Sequence, residues 1–144
     1  MIQEEHIVQN VRYIHKSDHR DGTNDKSQWT INEADERSCF GSAFTDVNQQ
    51  NFPNRWGLHF DDDKVAYLGI VAELHKDKRD ETPLLFIAFF ENDQPNNYWH
   101  GYPADVKRSI RNIPPPTIRK MWMQKKLLSV RTINHIARRL RCKL

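Results

Sequence analysis

The chain has 144 residues and a formal net charge of +3, with 38% apolar residues before glycine is counted and a mean hydropathy of −0.83. That length fits one domain spanning 1–144, and no run approaches the roughly 18 apolar residues of a membrane span. The start "MIQEEHIVQN" lacks the basic and apolar regions of a secretory signal, and the two cysteines, Cys39 and Cys142, have no zinc or disulfide spacing. A cytoplasmic chain with free thiols and no cofactor or metal is expected.

The small net charge hides a segregation. Residues 101–144 hold 12 Lys or Arg and one acid, a net of +11, whereas the first hundred hold 10 basic and 18 acidic residues, a net of −8. Such polarity along a chain points to a polyanionic partner or to two faces with different partners.

In chain order, "IQEEHIVQNVRYIHK" sets Ile7, Val11 and Ile14 at helical spacing behind Glu4 and Glu5, which predicts an N-terminal helix over residues 2–16. Residues 17–54 are rich in loop-forming residues, with a helix opening near Thr30 or Asn32 and capable of ordering on a partner. The apolar mass follows: "RWGLHF", "VAYLGIVAEL" and "LLFIAFF" predict three antiparallel strands between about residues 55 and 90, arranged as a meander. The third run is nearly continuous, so its strand should be central and covered on both sides. "DDDK" (Asp61–Lys64) reads as a solvated turn, since adjacent acids do not match a calcium loop.

Residues 104–144 read as a basic helical segment. "ADVKRSIRNI" suits a short helix, Pro116 suits the first turn of another, and Ser129 caps a last one with Ile133, Ile136, Ala137 and Leu140 as its apolar stripe. The expected class is therefore α+β, a single domain with a central antiparallel sheet, an N-terminal helix and a basic C-terminal helical segment.

The Ser129-Val130-Arg131-Thr132-Ile133 run is similar to the opening of the second helix in helix-turn-helix sequences, with Leu127 standing where a glycine is common in the turn. That resemblance implies that Arg131, Asn134, His135 and Arg138 face outward towards base edges, with Lys125, Lys126, Arg139, Arg141 and Lys143 on phosphates. The alternatives are a basic surface for an acidic protein or simply the solvated side of a terminal helix.

"YWHGYPAD" offers a stacking or ligand loop made of Trp99, His100, Tyr102 and Asp105, or else a packed connector. His15 and His19, four apart, would share a helix face, but no third metal ligand is visible. No Gly-rich phosphate loop, G-x-S-x-G or H-E-x-x-H occurs. A non-enzymatic binding protein engaging nucleic acid or an acidic protein is the first expectation. An antitoxin-like or immunity-like protein module is the second, and a metal-independent nuclease using His59, His75 and His100 the third.

Overall fold

The computed structural model describes residues 5–77, 79 and 83–144. Its fold is α+β, built on a six-stranded mixed sheet, and no helix among the described residues is long and apolar enough to cross a membrane.

The N-terminal helix expected over residues 2–16 is a β-hairpin, β1 (Glu5–Val8) and β2 (Val11–Ile14), and Met1–Glu4 lie outside the described residues. Gln9 and Asn10 both take positive φ, 51° and 66°, which is the two-residue turn whose twist matches that of the strands. Asn10 tolerates that geometry. Helical spacing of Ile7, Val11 and Ile14 was a coincidence of short length; the pairing His6↔Tyr13 buries Tyr13 completely and leaves Ile7 exposed.

Segment 17–54 is more ordered than its composition implied. A short strand β3 (Gln28–Trp29) precedes α1 (Glu33–Thr45), which Asn32 caps by accepting the Asp35 N–H at 2.8 Å. Its buried Cys39, Phe40 and Ala43 pack on the sheet.

The three apolar runs do form antiparallel pairs, but not a meander. β4 (Arg55–Asp61) turns at Asp62 and Asp63, both at positive φ, into β5 (Lys64–Ala66). The second run then leaves the sheet: β6 (Gly69–Ile70) joins β3 and β7 (Leu84–Leu85) in a small separate sheet. The third run supplies β8 (Ile87–Asp93), which pairs with β4 on one side and with β9 (Tyr98–Pro103) on the other. The sheet order is β1-β2-β9-β8-β4-β5, with β2 parallel to β9 and the other pairs antiparallel.

Central β8 is covered on both faces, as its continuous apolar sequence requires. Ala88 and Phe90 point to α1, while Ile87 and Phe89 point to the opposite core with Trp56, Ile118, Trp122 and Ile136. Gly101 of β9 lies under the Phe90 ring; a Cβ there would meet Phe90 Cδ1 at 2.2 Å.

That second core is closed by α2 (Pro116–Gln124) and α3 (Val130–Ala137), so three layers result. The short helix expected in "ADVKRSIRNI" is only a 3-10 turn, Ile110–Asn112. Pro103 is the last residue of β9. Both cysteines are free.

Candidate functional site

The basic segment is a short helical hairpin. Pro116 occupies the first turn of α2, where its missing N–H costs nothing, and Ile118 and Trp122 anchor the helix on the sheet. The left-handed residue ending α2 is Lys126, at φ 59°, not Leu127. The Leu127 N–H then reaches back to the Trp122 carbonyl at 2.9 Å, and Lys126 N–H to Met123 at 3.0 Å, satisfying the last carbonyls. The tight turn is therefore made without glycine.

Ser129 opens α3 by accepting the Thr132 N–H at 3.1 Å. Thr132, Ile133 and Ile136 are buried; Arg131, Asn134 and Arg138, three and seven positions apart, share an exposed stripe opposite them. Two members of the expected apolar stripe are exposed, Ala137 because it is the last helical residue and Leu140 because it follows the turn. Arg139 at φ 59° repeats the α2 ending, with Leu140 N–H on the His135 carbonyl at 2.9 Å. His135 is half-buried on the flank.

The cations divide into two groups. Arg139 donates to the Val106 and Lys107 carbonyls, each at 3.2 Å. Arg141, whose side chain is only 4% exposed, is locked to Asp105 at 2.8 Å and to the His75 carbonyl at 2.9 Å. Neither Arg139 nor Arg141 is thus a free anion ligand. By contrast, Lys125, Lys126, Arg131 and Arg138 are exposed and have no ion pair among the described residues. Residues 116–144 contain nine Lys or Arg and no Asp or Glu. Asp63 shares a groove with Lys64, Lys126, Ser129 and Thr132.

The second expected site is a strand, not a loop, and strand alternation separates its members. Trp99 packs against Phe40 and Phe44 on the α1 side, with each ring centroid at 5.6 Å. His100 and Tyr102 project from the other side of β9. His100 Nε2 stands 3.6 Å from Glu91 Oε1, and burial holds its pKa below 6.5 against the pull of that carboxylate. Tyr102 donates to Asn112 Oδ1 at 2.8 Å and stacks with His19 at 5.2 Å; burial pushes its hydroxyl up to about 12. Asp105 is taken by Arg141, so His100 and Asp105 do not form a proton-transfer pair. No hydrogen bond, ion pair or ring contact among the described residues joins His59 or His75 to His100.

His15 and His19 part company as well. His19 Nδ1 meets the Ser27 carbonyl at 2.7 Å, whereas His15 is buried beside His6, Glu36 and Arg37. A helix over residues 2–16 would keep His6 and His15 apart; the hairpin brings them together. The alternation of His6, Tyr13 and His15 about a Gln9-Asn10 turn was the signal that could have found it.

Comparison with protein-family models, with curated proteins and with solved structures gives no match.

Proposed function

We propose that this chain is a small nucleic-acid-binding protein whose α2–α3 hairpin grips the phosphate backbone. The observation that carries this reading is the exposed set Lys125, Lys126, Arg131 and Arg138, unpaired among the described residues and set in a 29-residue stretch without an acid. Unpaired cations that face water gain by displacing the counterions of a polyanion, whereas cations already tied to carboxylates gain little. The N-terminus of α3 adds partial positive charge beside Lys126, since its first turn holds no acid.

Asn134 distinguishes a reading surface from a mere cation patch. Its exposed side chain sits between Arg131 and Arg138 on one stripe, and Arg and Asn have the bidentate geometry that suits guanine and adenine edges. An eight-residue helix is about 12 Å long and fits across a major groove. Phosphate contacts by Lys125 and Lys126 would then hold α3 in register while Arg131 and Asn134 meet the bases.

The test is a gel-shift comparison of the full chain on duplex DNA, single-stranded DNA and RNA at low salt. Binding that weakens on Arg131→Ala and Arg138→Ala supports the proposal. Absence of binding to every probe at low salt overturns it.

A further inference from the structure

We infer that the face between the β1–β2 hairpin and α1 is a transition-metal site, in which His6, His15 and Glu33 hold a divalent ion of the zinc class. The hairpin creates the geometry. His6 pairs across the strands with Tyr13, and His15 lies two residues further along the same face, so the two imidazoles become diagonal neighbours with centroids 5.3 Å apart. The first turn of α1 brings the Glu33 carboxylate alongside, and one ligand atom from each of the three side chains lies within 4.8 Å of the others.

The orientation of the imidazoles is the second observation. His15 Nδ1 stands 3.0 Å from Glu36 Oε2, at ion-pair distance but off the line of a hydrogen bond. The Arg37 guanidinium, which can only donate, meets His15 Nε2 at 3.1 Å, so Nε2 carries the lone pair and Nδ1 the proton. Glu36 is itself fixed, accepting from Tyr13 Oη at 2.5 Å and from Arg20 at 2.6 Å. A carboxylate behind a histidine that presents its other nitrogen forward is the arrangement that orients metal-binding imidazoles.

Both forward nitrogens converge on one cation. Arg37 Nη1 lies 3.1 Å from His15 Nε2 and 3.3 Å from His6 Nε2. The guanidinium stands where an ion would sit, and it lines an open groove with His6, Gln9, Ser38 and Thr45 that gives it room to leave. Tetrahedral zinc separates its ligand atoms by roughly 3.3 Å, so closing the site from separations within 4.8 Å requires a contraction of at most about 1.5 Å. Two histidines and one glutamate leave a fourth position for water, as in open zinc sites.

The test uses the full chain titrated with Zn2+ calorimetrically and with Co2+ by visible absorption, with far-UV circular dichroism as a folding check. One equivalent should bind the wild-type chain with tetrahedral Co2+ bands. His6→Gln and Glu33→Gln should each weaken binding about tenfold or more, and Arg37→Ala, which removes the competing cation, should tighten it by roughly tenfold. His15→Ala is avoided because that side chain is buried. No binding to the wild-type chain, or equal affinity in folded His6→Gln and Glu33→Gln, overturns the proposal.

Discussion

Arg141 and Asp105 form a nearly buried, two-pronged ion pair, with Nη2 to Oδ2 at 2.8 Å and Nε to Oδ1 at 3.1 Å and side-chain exposures of 4% and 6%. The one acid of the basic segment is thereby spent on tying the C-terminal end of the chain to the segment that follows β9. Removing one partner strands a charge in the interior. Asp105→Ala should therefore cost about 3–5 kcal/mol in urea unfolding. The double variant Asp105→Asn with Arg141→Met should recover most of that loss, and a double variant as unstable as Asp105→Ala would show that the charge pair is not the cause.

Lys126 and Arg139 each place a Cβ in the left-handed region at φ 59°. Glycine adopts that conformation without the steric penalty, so Lys126→Gly should stabilise the chain by up to about 1 kcal/mol. On the proposed function the same change should weaken nucleic-acid binding, because it also removes an exposed cation. A stability gain accompanied by a binding loss would separate the two roles of one residue; a stability loss would place the turn elsewhere.

Gly101 and Phe90 test the layered core. The ring lies where a Cβ on residue 101 would sit, with Cδ1 2.2 Å from that point. Gly101→Ala should cost about 1–3 kcal/mol or more, since neither the paired strand nor the covered ring can move freely. An unfolding midpoint unchanged by the substitution would mean that this face is looser than described.

His19 and His100 make stability depend on pH. Burial lowers both pKa values from 6.5, opposed at His19 by the hydrogen bond to Ser27 and at His100 by Glu91. The unfolded chain therefore takes up protons that the folded chain refuses. Their contribution to stability is complete above about pH 6.5 and is lost as pH falls through the lowered folded values. The carboxylates Glu5, Asp21 and Asp93, themselves lowered by hydrogen bonds, act at lower pH still. Urea unfolding between about pH 7.5 and pH 5.5 should show the decline, and His19→Gln with His100→Gln should flatten it. A wild-type profile that stays level over this range would contradict the assignment.

Periodicity read best where burial was symmetrical. The continuous run of β8 announced a strand covered on both sides; Asn32, one of two candidate caps with Thr30, marked the start of α1, and Ser129 that of α3. It failed at residues 5–14, where four-residue strands hold too few apolar positions to separate a period of 2 from one of 3.6. The sheet order was not legible either, because nothing local says that β6 leaves to join β3 and β7. At the candidate site, outward-facing Arg131, Asn134 and Arg138 followed from the stripe of Ile133 and Ile136. The loss of Arg139 and Arg141 did not, since their partners, the Val106 carbonyl and Asp105, are more than thirty residues away.

The salt dependence of nucleic-acid affinity tests the central claim most directly. With Lys125, Lys126 and Arg138 on phosphates and Arg131 on base edges, log affinity against log salt between about 50 and 200 mM should fall with a slope of roughly −2.7. Lys125→Ala should make that slope shallower by about one. A slope near zero, or one that Lys125→Ala and Lys126→Ala leave unchanged, would contradict a phosphate grip by the α2–α3 hairpin.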